Sequence, residues 1–211
     1  MCQSIGGVEE ANVGSAFIED WRSYVTRHRL TAAVVAGLVA THVTTNLGMW
    51  YHGIGLPDLD FNYLNGLLVF GNSAQAATGM SDPVILHLFG AAVHYGQGVA
   101  FALVYAFVIQ PLIPIANSLL GNLAKATIWG LILATLSVVW WINLFPNLFG
   151  PNTSAGLFMT NVPAAAGEWW KWLLAVYLWH VVYGLNLGAF YSPKDLPAAT
   201  TAPVTSAALP A

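Results

Sequence analysis

The chain has 211 residues, of which 57% are hydrophobic and only 7% charged. About 25% charged residues is usual in a soluble domain, so this chain cannot cover a water-facing surface, and lipid must be the solvent for much of it. The formal net charge of −3 includes only six Lys and Arg residues; that is too little positive charge for a nucleic-acid footprint, and no nucleic-acid partner is expected.

Residues 1–29 read as a cytoplasmic N-terminal arm. Its first twenty residues contain Glu9, Glu10, Glu19 and Asp20, not the basic segment and apolar core of a cleaved signal peptide. The single cysteine, Cys2, excludes an internal disulfide. Residues 30–191 form the expected transmembrane domain. Crossing a bilayer takes about 20 mostly apolar residues as a helix, and four stretches qualify: 30–51, 84–109, 123–145 and 169–190. In lipid every backbone polar group must be paired within its segment, which selects helix. The expected fold is therefore all-α: a polytopic membrane protein, built as a four-transmembrane-helix bundle.

Two loops lie on the outer face. In the first, "DFNYLNGLLVFG" spaces Phe61, Leu64, Leu67, Leu68 and Phe70 near the helical period. Asp58 or Asp60 is the candidate N-cap. This predicts a short interfacial helix on the membrane surface or against the bundle. The second loop, 146–167, is broken by Pro and Gly and reads as an ordered cap or docking loop; its Asn152-Thr-Ser matches the glycosylation pattern. Residues 192–211 lack apolar periodicity and read as a flexible cytoplasmic tail, or one that orders only against a partner.

Arg22, Arg27, Arg29, Lys125 and Lys194 fall on one side of an even number of spans, and only Lys171 on the other. The positive-inside rule then puts both termini in the cytoplasm. Trp50, Tyr51, Trp140, Trp141, Trp169, Trp170 and Trp172 gather at the opposite face, as rings at a headgroup layer do.

One skeleton appears twice. "HYGQGVAFALVY" carries His94, Gly98 and Tyr105; "HVVYGLNLGAFY" carries His180, Gly184 and Tyr191 at the same offsets. Two hairpins related by a pseudo-two-fold axis along the membrane normal would explain this, although the first and third spans share no pattern. Gly184 and Gly188 make a GxxxG, Ala92 and Gly96 a looser small pair, and Gly37, Thr41 and Thr45 a similar face. Such faces let helices pack closely in lipid. Gly98, Gly184 and Gly188, with Tyr105, Tyr183 and Tyr191, are the expected helix-packing residues.

Polar groups at membrane depth are costly and face protein or a cavity. His42 and His94 lie about 15 Å, and His180 about 17 Å, from the outer end of their spans, counting about 1.5 Å per residue. The most economical reading is that each bonds a carbonyl or a hydroxyl such as Tyr95, Tyr183 or Thr45. Two functional alternatives follow. His94 and His180 would ligate haem b iron axially, with Gly98 and Gly184 leaving room for the porphyrin. Or His42, His94 and His180 would converge on a transition metal. The spans hold no Asp, Glu, Lys or Arg away from their ends, which weakens a solute channel or carrier. No Ser-His-Asp set, HExxH or P-loop is present, so no catalytic residues are assigned.

The segments "PDLDFNYLNGLLVFG", "HYGQGVAFALVYA", Trp129-Gly130, "LFPNLFGPNTSAGLF" and "HVVYGLNLGAFY" follow one another in order. The chain from about 55 to 191 resembles a group of small, uncharacterised bacterial membrane proteins of about four spans, the YagU-like and related families. The likeness is carried by Asp60, Gly66, His94, Gly98, Tyr105, Pro146, Gly150, His180, Tyr183, Gly184 and Gly188. The resemblance implies the architecture and no established chemistry; the long N-terminal arm and Pro/Ala/Thr tail depart from the pattern. The expected function is a non-catalytic accessory subunit of a larger membrane complex, respiratory or photosynthetic, in the bacterial inner membrane. Its expected partners are the lipid bilayer and other integral subunits, with a bound lipid or pigment as a further candidate.

Overall fold

The computed structural model describes residues 6–57, 59–63, 65–66, 83–139 and 169–195. Among these residues the chain is helical and without strands. Helix α1 spans Gly6–Arg27 and α2 Arg29–Gly48; a 3-10 turn covers Tyr51–Ile54. Helix α3 runs Pro83–Val104 and continues through a π turn, Tyr105–Ile109, to Leu112; α4 spans Leu119–Val139 and α5 Trp169–Phe190. Four of these helices, α2 to α5, are long and apolar enough to cross a membrane. The chain is a multi-pass membrane protein. Outward-facing Leu112, Leu120 and Leu88, all more than 60% exposed, suit a lipid solvent.

Helix α2 is the centre because its buried face is almost all small: Ala33, Ala36, Gly37, Ala40, Thr41, Thr44, Thr45 and Gly48. Its three buried threonines return their hydroxyls to carbonyls one turn back (Gly37, Ala40 and Thr41, each at 2.6–2.7 Å), so no donor is stranded. A face this narrow lets α2 touch two neighbours at once. It packs on α3 and on α5, and α5 packs on α4, giving the row α3–α2–α5–α4. Helices α3 and α4 meet chiefly through the π turn and residues 110–112.

The π turn has a visible cause. Pro111 has no N–H to give to the preceding turn, and Gln110 N–H bonds back to Tyr105 O. The freed Ala106 carbonyl takes the Arg29 Nη2 donor at 2.6 Å and the Tyr191 hydroxyl at 3.4 Å. Arg29 Nε also donates to Tyr191 Oη at 2.9 Å. One cation at the start of α2 thus ties together α2, α3 and the end of α5.

The structure adds to some expectations and corrects others. The N-terminal arm is a helix, α1, ending in a break at His28 (φ −121°, ψ 51°). It lies against the basic end of the bundle, where Trp21 Nε1 donates to Phe190 O at 3.1 Å and Arg22 Nη2 donates to Asn117 O. The first four tail residues are held there too: Ser192 and Pro193 are buried, and Lys194 N–H donates to Thr26 Oγ1 at 2.9 Å. Tyr51 and Trp172 are core residues, 1% and 2% exposed, not belt residues; they pack with Leu59, Phe61 and Trp179. Ala92 and Gly96 face outward, and nothing lies within 4 Å of a Cβ built on Gly96. Helix α4 starts at Leu119, so Lys125 sits inside a span, not at its mouth. Asp58, Leu64, Leu67, Leu68, Phe70, Trp140, Trp141, the 146–167 loop and the tail beyond 195 lie outside the described residues.

The segment after α2 turns back into the bundle. Leu59 N–H bonds Gly48 O at 3.2 Å, which reverses the chain. Residues 61–63 form a helical turn that Asp60 caps, its Oδ1 accepting Tyr63 N–H at 3.0 Å. Leu59, Phe61 and Asn65 are at most 5% exposed. This turn packs against the bundle. Cβ atoms on Gly66 or Gly90 would strike backbone at Leu86 or Asn62, so both glycines permit backbone-on-backbone contact with α3.

Candidate functional site

The two repeated skeletons are used alike. Gly98 of α3 meets Thr41 of α2, and Gly184 of α5 meets the backbone of Ala126 and Thr127 on α4. Each glycine therefore seats its helix on the other member of its own hairpin. Each histidine bonds a hydroxyl on that same partner: His94 Nε2 and Thr45 Oγ1 are 3.1 Å apart, His180 Nε2 and Ser137 Oγ 3.2 Å. The two tyrosines at the far end, Tyr105 and Tyr191, meet edge-on with centroids 6.0 Å apart.

His94 and His180 line one cavity of about 70 Å³ between the hairpins. Polar groups of Thr41, Asn65, Gln97, Ser137 and Tyr183 share its wall with Phe61, Phe101, Leu133 and Trp179. Phe61, brought in by the returning loop, stacks on His94 (5.8 Å, 17°) and meets Trp179 edge-on at 4.7 Å. Gln97 Nε2 donates to Asn65 Oδ1 at 3.2 Å, and Tyr183 Oη donates to Gly98 O at 2.6 Å. The space is large enough for a few waters, since about 10–15 Å³ admits one.

Hydrogen-bond logic assigns the rings. Thr45 gives its hydroxyl proton to Thr41 O, so His94 Nε2 is the donor to Thr45, which leaves Nδ1 as the acceptor-capable nitrogen. His180 Nδ1 lies 2.8 Å from Val176 O, which can only accept. In the neutral ring its Nε2 then takes the Ser137 hydroxyl. Both nitrogens of His180 are thereby engaged within the protein.

Tested on this geometry, haem does not fit. The cavity is far smaller than the several hundred Å³ typical of organic-ligand sites. His180 has no free nitrogen, and the space beside Gly98 and Gly184 is filled by neighbouring helices. The expected metal set does not assemble either. His42 stands outside the cavity, with Nδ1 2.7 Å from Tyr95 Oη and Nε2 3.2 Å from Asn46 Nδ2. Among the described residues no three His, Cys, Asp or Glu side chains converge. His87 is not among the cavity's lining residues and pairs with Asp60 at 2.6 Å. Gly98, Gly184 and Gly188 lie against neighbouring helices, and Tyr105, Tyr183 and Tyr191 bond across them.

Sequence reasoning missed Asn65, Gln97, Ser137 and Trp179. Gln97 follows His94 by three positions and Ser137 shares a hairpin with His180, so the helical period alone signals Gln97. No family model, curated protein or solved structure matches the chain.

Proposed function

We propose that the protein is a non-catalytic integral subunit of a larger membrane assembly, in the bacterial inner membrane with its basic end cytoplasmic. One observation carries this reading: the polar cavity is walled by α3 and α4, which scarcely touch beside it, and neighbouring residues of both helices are exposed. Gln97 is exposed, Phe101 is 40% exposed and Leu136, on the facing helix, 55%. Polar groups at membrane depth are normally covered by protein or water. A transmembrane helix of a partner subunit, laid between α3 and α4, would supply that cover. The hydroxyls and imidazoles inside bond one another across helices, which suits a structural role. The small charge supports a membrane location, and the basic end supports the orientation proposed.

The test is a photo-crosslinking residue at Phe101 in native membranes, with Leu120, 76% exposed, as the control position. A defined integral membrane protein is expected to cross-link from 101 alone and to co-purify at fixed stoichiometry in mild detergent. A lone monomer in several mild detergents, with no product specific to 101, overturns the reading.

A further inference from the structure

A second polar concavity lies at the opposite, basic end and shares no residue with the histidine cavity. It has a volume of about 360 Å³, and Arg29, Lys125 and Lys194 are among its lining residues, with Asp195 as its carboxylate. Volumes of about 300–1,000 Å³ are usual for small-molecule sites.

Lys125 is the informative residue. It lies six positions inside α4, which is about 9 Å at 1.5 Å per residue, and is 2% exposed. A cation within a span is costly and needs an anionic or carbonyl partner. Its ammonium donates to Asn117 Oδ1 at 2.7 Å, but that oxygen also takes the Gln110 amide at 2.6 Å. No carboxylate of the described residues lies within ion-pairing distance of Lys125. Asp195 is turned to Asn117, accepting its side-chain amide at 2.6 Å and its backbone N–H at 3.3 Å. An ammonium has three donors; two of Lys125's have no protein acceptor among the described residues. Arg29 spends Nε and Nη2 on Tyr191 and Ala106, leaving Nη1. Lys194 pairs with Glu19 at 2.7 Å and bonds Ser23 Oγ at 2.9 Å. Arg22 also pairs with Glu19, at 3.2 Å. The neighbourhood thus sets four cations against two carboxylates.

We propose that this concavity binds a phosphate group, held by the Lys125 ammonium and the Arg29 guanidinium with Lys194 at the rim. Basic pockets between spans at the cytoplasmic side take anionic lipid headgroups; free phosphate presents the same oxygens, and the experiment separates the two. The proposal is independent of the histidine cavity and of any partner at the α3–α4 gap.

The full chain is reconstituted with phosphatidylglycerol and phosphatidylcholine in equal amounts, then examined by native mass spectrometry. In parallel, its thermal stability in detergent is measured with and without inorganic phosphate. Retention of one phosphatidylglycerol in preference to phosphatidylcholine identifies a lipid headgroup. Stabilisation by inorganic phosphate without lipid preference identifies the free anion. In either case Lys194→Gln should weaken binding about fivefold, Lys125→Met should weaken it more, and Asp195→Asn should strengthen it. Lys194, 33% exposed at its side chain, and Asp195 are peripheral, so their opposed effects decide the matter even if Lys125→Met fails to fold. Absence of both lipid preference and phosphate stabilisation overturns the proposal, as does binding that Lys194→Gln and Asp195→Asn leave unchanged.

Discussion

The α4–α5 seam and the α3–α4 gap are bordered by similar residues, small and polar, yet one is closed and the other open. At the seam, Gly130, Gly184 and Gly188 lie against the opposing backbone. At the gap, Gly96 and Gln97 of α3 face outward, and the helices join chiefly at the π turn and residues 110–112. Lipid tails are as apolar as leucine, so helices in a membrane gain little from apolar side chains as such; they associate where backbones approach closely. A glycine therefore seals a contact only when a partner backbone is present to receive it.

The sharpest way to break this comparison is one substitution on each side. A Cβ on Gly188 would lie 2.7 Å from Asn122 O and 2.8 Å from Leu123 Cα, and backbone cannot step aside as a side chain does. Gly188→Leu is expected to cost about 3 kcal/mol or to prevent folding, at the upper end of overpacking penalties. Gly96→Leu, with open space around it, should be neutral in the isolated protein. Denaturant titration of both variants in detergent checks the pair; equal losses would mean that the gap is not open.

Next in size is Arg29→Gln. It removes two charged hydrogen bonds, to Tyr191 and to the carbonyl that the π turn leaves free. A loss of about 2–3 kcal/mol is expected, because Ala106 O then loses its charged donor. Arg29→Lys should recover only part of this, since a single ammonium does not reproduce the guanidinium fork. Full rescue by lysine would show that charge alone matters there. A smaller effect belongs to Tyr183→Phe, which deletes the bond from α5 to Gly98 O at 2.6 Å. About 1 kcal/mol is expected, together with looser closure of the cavity, read as faster hydrogen exchange at the α3 amides around Gly98.

These contrasts also explain how far the sequence could be read. Span number and the packing of Gly98, Gly184 and Gly188 follow from apolar length and small-residue spacing, which are local properties. The pairing of His94 with Thr45, and of His180 with Ser137, is not local: it depends on which helices share a hairpin and at what depth they cross. The row α3–α2–α5–α4 is invisible for the same reason, since Gly96 and Gly98 look alike in sequence and differ only in what faces them. Lys125 was misplaced because the hydropathy of the span rises after it, while Ser118 Oγ caps Gly121 N–H at 2.9 Å and starts the helix earlier. The helix α1 was missed because its acidic, weakly apolar first turns resemble a solvated arm, and it is docked by tertiary bonds from Trp21 and Arg22.

The smallest effect lies in the core cluster around Phe61 and Trp179, at Tyr51. Its ring is buried beside Leu56, Leu59 and Trp179, but its hydroxyl has no hydrogen-bond partner among the described residues. An unpaired buried hydroxyl costs free energy that phenylalanine does not, so Tyr51→Phe should be neutral or slightly stabilising at pH 7. Burial pushes the phenol up from 10 to about 12. A group whose pKa is raised by folding favours the fold below its unfolded value and gives up that contribution as pH rises through the folded one. The wild type should therefore lose stability between pH 10 and 12, and Tyr51→Phe should lose less over the same interval. The other tyrosines titrate in both proteins, so the difference between the two profiles belongs to Tyr51. Parallel profiles would mean that the phenol reaches water, and that the returning loop does not seal this end of the bundle.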